Sequence, residues 1–269
     1  MTVITTDLLS IEQIRWQLTT STVGRVLHLL GSVDSTNARC RTLARAGAPE
    51  GTVVLAEEQS AGRGRRGRTW FSPSGLNLYA SVLLRPPIGA RELPLFSLLA
   101  SLALVDAFEE HGAQAGLKWP NDILVDGKKV AGTLVESSMR GEQVEYAVLG
   151  VGANLNVESE VLRAVLGPIG AFATSLAAVS GYPVDRNAFA AAFLNRLDAW
   201  LEVWRARGPE GLRAAWAERD VLMDRHVEVS SNGVCLYARA LGLDVGGGLL
   251  VQDAFGRRHT LVSEEVRPL

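Results

Sequence analysis

The spacing of apolar residues changes period along the chain, and the changes predict its elements. Ile11, Ile14 and Leu18 fall at i, i+3 and i+7 behind Ser10, the pattern of a short amphipathic helix with Ser10 as N-cap. From Gly24 onward the texture is mixed: residues 25–30 predict a strand, 35–46 a helix, 52–56 a strand and 77–84 another. Residues 91–111 carry helical periodicity, with Leu95, Leu98, Leu99, Leu102 and Val105 on one face and Gly112 as the C′ residue, so this helix should cover a sheet. Short strands at 116–118 and 123–125 flank Trp119-Pro120-Asn121-Asp122, and Asp126-Gly127 signals a hairpin into 129–136, followed by a strand at 143–151. Hairpins mixed with helices predict an α+β fold with a mixed, mainly antiparallel sheet and covering helices.

Residues 185–205 form the longest helical pattern, with Phe189, Phe193, Leu197, Trp200, Leu201 and Trp204 at three- and four-residue spacings, a stripe expected to pack as core. After Arg219 the chain turns to short alternating segments, 226–230, 234–240, 249–253 and 258–262, separated by Asn232-Gly233, Gly246-Gly247-Gly248 and Phe255-Gly256. Four or five strands in so short a stretch predict a small closed β-barrel. The domain division expected is 1–219 and 220–269.

Composition narrows the function. The 269 residues carry 27 Lys+Arg against 29 Asp+Glu, a net charge of -2, so no global field favours nucleic acid or an anionic membrane. With 47% hydrophobic and 21% charged residues the chain is an ordinary globular protein. Its 2 cysteines, Cys40 and Cys235, are far apart and form neither a disulfide framework nor a metal knuckle, which suits a reducing cytoplasm. Residues 1–10 lack a signal-peptide pattern, and no apolar run is long enough to span a membrane. The roughly 25 residues before the first strand are too few for a helix-turn-helix module.

One local feature departs from this average: Arg63, Arg65, Arg66 and Arg68 lie within six residues, where the mean density predicts about 0.6 cations. Gly62-Arg63-Gly64-Arg65-Arg66-Gly67 satisfies G-x-G-x-x-G, yet Arg68 to Gly75 runs into turn chemistry instead of opening a helix, so a dinucleotide fold is rejected. A flexible cationic loop remains, suited to phosphate or acyl-phosphate. A solvated surface turn and an RG-type RNA contact compete with that reading, although Gln59 and Trp70 bracket the arginines with an amide and a stacking surface. Asp34-Ser35-Thr36-Asn37 is either a helix cap or a set of donors and acceptors around a ureido or carboxylate group. Lys118-Trp119-Pro120-Asn121-Asp122 is either a polar pocket or an edge strand closed by Pro120. In Lys128-Lys129-Val130-Ala131-Gly132, strand alternation puts Lys128 outward and Lys129 inward. The glycines of Gly150-Val151-Gly152-Ala153-Asn154 mark close approach or a bulge.

These motifs, in this order, resemble those of biotin protein ligases over essentially Leu27 to the end of the chain. The resemblance implies a class II aminoacyl-tRNA-synthetase-like catalytic domain followed by a small SH3-like β-barrel. It implies an ATP-dependent ligase that converts biotin to biotinyl-5′-adenylate and transfers it to a lysine of a biotin carboxyl carrier protein, that of acetyl-CoA carboxylase. Carried over by position, Ser35, Thr36, Asn37, Gln59, Gly62, Arg63, Gly64, Arg65 and Lys129 would bind biotin. Arg63, Arg65, Arg66, Arg68, Trp70, Lys118, Asn121, Asp122, Gly152 and Asn154 would bind ATP or the adenylate, with Lys129, Arg65 and Lys118 as the catalytic residues. Mg²⁺ is expected with ATP, without a dedicated protein metal site. A homodimer is compatible with the sequence. Regulatory family members carry an N-terminal DNA-binding winged helix, for which this chain is too short, so a monofunctional, cytoplasmic ligase without DNA or membrane binding is expected. A lipoate or octanoate ligase and, from another class, an RNA-binding module are the competing readings.

Overall fold

A computed structural model describes residues 8–231 and 234–269. In chain order it contains α1 (Ile11–Trp16), β1 (Val26–Val33), α2 (Thr36–Arg45), β2 (Thr52–Gln59), β3 (Leu78–Leu84), α3 (Leu93–Glu110), β4 (Ala115–Lys118), β5 (Asp122–Val125), β6 (Lys128–Arg140), β7 (Gln143–Ala153), α4 (Ser159–Leu166), α5 (Leu176–Ser180) and α6 (Arg186–Ala217). The sheet built from the first part of the chain has the order β1-β2-β3-β7-β6-β5-β4, with β1 parallel to β2 and every other neighbour antiparallel.

The two-residue period of the strands sorts their side chains between two different faces. Val53, Leu55, Val82, Leu84, Ala147 and Leu149 join the main core under α3, whereas Val54, Leu83, Tyr146 and Val148 meet Cys40 and Ala44 of α2. Because α2 is only 10 residues long, it covers part of that second face. The same face continues past it through Ser81, Leu134, Glu136, Gly150 and Gly152, in a register that pairs Ser81 and Leu134 with Gly150. This strip is the floor of the site.

The structure corrects the sequence reading of α3. One apolar face was expected, yet Leu95, Phe96, Leu98, Leu99, Leu102, Leu104, Val105 and Phe108 are all buried, all round the helix. The reason is a second cover: α6 lies across the side away from the sheet, with Phe108 on Phe189 and Phe96 on Trp204 in edge contacts at ring separations of 4.9 and 5.0 Å. The α6 helix also runs beyond the predicted 185–205. Gly208, at φ 60°, and Pro209 kink it, and Leu212 and Trp216 remain buried after the kink. Ser10 caps α1 as expected, accepting from Gln13 N. Strands β2, β6 and β7 extend beyond their predicted ends, and α4 and α5 were not predicted.

The C-terminal segments form β8 (His226–Ser231), β9 (Val234–Leu243), β10 (Leu249–Asp253), β11 (Arg258–Leu261) and β12 (Glu265–Pro268), an antiparallel sheet in the order β11-β10-β9-β8-β12. The Asn232-Gly233 turn lies outside the described residues. The end strands β11 and β12 are linked by the turn 262–264, with no ladder between them among the described residues, so backbone pairing does not close the barrel. The unit leans on the first sheet: Trp119 Nε1 donates to Gly247 O at 3.0 Å, and Leu117 N donates to Arg219 O at 2.8 Å just before it.

Asp198 of α6 ties down the approach to β1 by accepting from the backbone N–H of Ser21 (2.7 Å), Thr22 (3.0 Å) and Val23 (2.8 Å) and from the Ser21 hydroxyl. Burial pushes its pKa up, but these donors outweigh burial and hold it below the usual aspartate value. The stabilisation is therefore complete above the unfolded aspartate pKa and is lost as pH falls through the depressed folded value. Asp198→Ala should cost about 1–3 kcal/mol at neutral pH. Denaturant unfolding should show the difference between variant and wild type shrinking at strongly acidic pH.

Candidate active site

The first part of the site is a polar ring where β1 hands over to α2. Ser35 occupies the N-cap position of α2 but makes no side-chain capping bond among the described residues. Gln59, at the end of β2, does that work instead: its Oε1 accepts from Thr36 N at 2.9 Å and from Thr36 Oγ1 at 3.1 Å, and its Nε2 donates to Ser72 Oγ at 2.9 Å. Simple capping by Ser35 is thus not what this motif provides. Ser35, Thr36 and Asn37 are all buried beside the open strip of sheet. Ser81 joins them from β3. Its hydroxyl donates to Asn37 Oδ1 at 2.6 Å and lies 2.8 Å from Thr36 Oγ1. Sequence reasoning missed Ser81, whose only signal is a hydroxyl inside the apolar run Leu78-Tyr79-Ala80-Ser81-Val82-Leu83-Leu84.

The arginine loop folds back on itself as a hairpin. Arg63 and Thr69 form an isolated bridge, Gly64 N donates to Arg68 O at 2.7 Å, and Trp70 N donates to Gly62 O at 2.9 Å. Only a single 3₁₀ turn, Arg65–Gly67, interrupts it, so no helix N-terminus is present to receive a pyrophosphate. Gly62 is required by space: a Cβ there would meet Trp70 O at 2.5 Å and Ser72 Oγ at 2.6 Å. Residues 60–69 with Leu134 and Glu136 line an open cleft of about 660 Å³.

The four arginines do not act alike. Arg63 is exposed at the cleft. Arg65 bridges two sides, donating inward to Asn121 Oδ1 at 3.3 Å and to Ser263 O at 3.5 Å, and burial followed by the neighbouring Arg66 charge lowers its pKa against the pull of Asp122. Arg66 and Arg68, expected at an adenylate, turn the other way and engage Glu265, with Arg66 also donating to Ser263 O. Glu265, the first residue of β12, supplies the counter-charge they pair with, which explains the difference.

The second cationic group comes from the β4–β5–β6 corner. Lys129 is half-buried, Lys128 exposed, as strand alternation required. Lys129 Nζ pairs with Asp122 and stands 5.4 Å from the centre of the Trp70 ring. Burial lowers the pKa of Lys118, helped by Lys129 and opposed by Asp122. Asn121 is fixed by donation to Thr133 O at 2.6 Å. The glycines of β7 mark close approach rather than a bulge. A Cβ on Gly150 would lie 2.2 Å from Asn37 Oδ1, and one on Gly152 would lie 2.4 Å from Trp70 Nε1. That indole N–H is buried with no hydrogen-bond partner among the described residues. Asn154 departs from expectation: its amide donates to Thr174 O at 3.0 Å, so it holds the chain entering α5.

The arrangement sets an uncharged ring of fixed donors and acceptors at one end of a sheet face and Arg65, Lys118 and Lys129 at the other. It contains no cysteine nucleophile: Cys40 of α2 is packed against the sheet, where burial pushes its thiol up to about 12, and Cys235 stands on β9 of the other sheet.

Residues 29–154 match the Biotin/lipoate A/B protein ligase family. The biotin–[acetyl-CoA-carboxylase] ligase of Paracoccus denitrificans is 34% identical over 233 residues, covering 86% of this chain and 95% of that protein. The chain belongs to the biotin protein ligase family. The bifunctional ligase/repressor BirA of Bacillus subtilis is likewise 34% identical, over 92% of this chain and 76% of its own length. Among solved structures, the biotin protein ligase of Aquifex aeolicus in complex with biotin and ATP superimposes with a TM-score of 0.75 at 27% identity, covering 91% of this chain and 100% of that one. In this ligase-family chain the fold brings Ser35, Thr36, Asn37, Gln59, Arg65, Trp70, Lys118, Asn121, Asp122, Lys129 and Gly152 to one region. It directs Arg66, Arg68 and Asn154 to other partners.

Proposed function

We propose that the protein activates biotin with ATP, giving biotinyl-5′-AMP and pyrophosphate, and then transfers the biotinyl group to a lysine of a biotin carboxyl carrier protein. The observation that carries this reading is the union, on one sheet face, of a neutral hydrogen-bonding ring with a cluster of cations. In the first step the biotin carboxylate attacks the α-phosphorus and pyrophosphate leaves. Both reactants are anions, so Lys129, Lys118 and Arg65 would offset their repulsion and the charge that develops. In the second step the lysine amine attacks the mixed-anhydride carbonyl, loses a proton, and AMP departs. Residues 1–219 would hold this chemistry, and 220–269 would steady the arginine loop through Glu265.

The proton directions in the ring favour biotin over lipoate. Thr36 gives its proton to Gln59 and Ser81 gives its proton to Asn37, so the oxygens of Thr36 and Ser81 remain as acceptors. A ureido group supplies N–H donors to such acceptors, whereas a dithiolane leaves them unpaired, at a cost of about 1–3 kcal/mol each. Mg²⁺ would enter with ATP. Such an ion is commonly held chiefly by phosphate oxygens. A cytoplasmic setting and a role without nucleic acid complete the reading. One observation supports the second part: Arg66 and Arg68 are already paired with Glu265.

Radiolabelled biotin with ATP should become protein-bound on an added carrier domain, and biotin should drive exchange of labelled pyrophosphate into ATP. Labelling by lipoate but not biotin, or salt-sensitive RNA affinity without any exchange, would replace the proposal.

A further inference from the structure

The Asn37 amide could sit in either of two orientations that exchange its oxygen and nitrogen, and its neighbours decide between them. Nδ2 faces Glu136 Oε2 at 2.8 Å and Leu134 O at 3.3 Å, both of which accept. Oδ1 faces the Ser81 hydroxyl. The other oxygen of Glu136 accepts from Arg41 NH1 at 2.9 Å. Arg41 follows Asn37 by one helical turn of α2, so both side chains reach the same strand, β6. Glu136 is the one carboxylate among the described residues lining the arginine cleft. Without a counter-ion it would oppose the anions that the cleft is built to admit.

We infer that Arg41 and Glu136 are positioning residues that set the direction of the Ser81 proton in the acyl-group ring. Arg41 fixes the Glu136 carboxylate, the carboxylate fixes the Asn37 amide, and the amide oxygen takes the Ser81 proton. The Ser81 oxygen is thereby left as an acceptor for a ligand N–H, beside the Thr36 oxygen whose proton Gln59 takes. The inference rests on the biotin reading given above, because only a ligand with N–H donors senses this polarity. Arg41 touches neither reacting group, so its influence is confined to how firmly the neutral end of the ligand is held.

Glu136→Gln replaces an acceptor-only group by an amide that can also donate, which frees Asn37 to turn. Arg41→Met keeps the length of the side chain and removes its charge. Biotin-dependent pyrophosphate exchange gives the KM for biotin and for ATP separately, and thermal unfolding reports on the fold. Glu136→Gln should raise the KM for biotin about tenfold or more. Arg41→Met should raise it several-fold and leave the ATP KM, kcat at saturating biotin and melting temperature near wild type, with Arg41→Lys restoring the biotin KM. A biotin KM within about twofold of wild type in both Glu136→Gln and Arg41→Met overturns the inference. So does a parallel shift of both KM values and the melting temperature, which marks a merely structural pair. Wild-type protein without biotin-dependent exchange fails the ligase reading itself, and the inference with it.

Discussion

Lys129→Ala is expected to lower biotin-dependent pyrophosphate exchange by about 10³-fold while leaving the melting temperature close to wild type. The ammonium stands where the neutral ring gives way to the cations, paired with Asp122, over the face of Trp70 and beside Lys118. On the reading proposed above, removing it subtracts a positive charge from the place where carboxylate and phosphate would meet. It also leaves Asp122 unpaired there, adding repulsion to the lost attraction. The fold should tolerate the change, because an ion pair with both partners partly in solvent contributes about 0–1 kcal/mol. Lys129→Arg is a useful companion: the guanidinium keeps the charge but needs room beside Gly132, where even a Cβ would come within 3.2 Å of the lysine tip. An unchanged exchange rate in Lys129→Ala would remove Lys129 from the reaction.

Arg186→Ala should have the largest effect on stability, a loss of about 3–5 kcal/mol. Arg186 opens α6 with its side chain 1% exposed, and it donates to Glu57 Oε2 at 2.8 Å and to Asn77 O at 3.3 Å. Glu57 is itself buried in β2 and accepts from Leu9 N through its other oxygen at 2.6 Å. Truncating the arginine leaves a carboxylate away from water with one backbone donor among the described residues, the costly half of a broken buried pair. Arg186→Met combined with Glu57→Leu removes both charges and should recover much of the loss. Denaturant unfolding measures each difference. A loss below about 1 kcal/mol for Arg186→Ala would mean that water or rearranged neighbours already solvate Glu57.

That pair also shows where sequence reasoning stopped. The α+β class, the helix behind Ser10, the hairpin at Asp126-Gly127 and the strand run at the C-terminus were legible because each depends on neighbours a few residues away. Gln59 and Trp70 stood out beside the arginines, and both reach the site. The remainder depends on distant partners. Nothing near Arg186 announces that a positive charge at a helix N-terminus, unfavourable against the helix dipole, is answered by Glu57. Nothing near Arg66 and Arg68 announces Glu265, almost 200 residues later, so all four arginines were expected at the adenylate. Ser81 and Glu136 each look like an ordinary polar residue in a strand until β3, β6 and α2 come together. The burial of α3 on every side was hidden because a one-sided stripe was sought where two covers exist.

This last feature bears on synthesis. Leu93–Glu110 is finished well before its second cover, and roughly 75 further residues must be made before α6 begins, which takes about 4–15 s at typical elongation rates. During that interval the nascent chain displays a helix whose outward side is as greasy as its inward side. Growth of the chain, and not the speed of any folding step, then sets how long that surface stays open to chaperones and to neighbouring nascent chains. Expression yield should accordingly respond to translation speed between codons 110 and 217 more than elsewhere in the message.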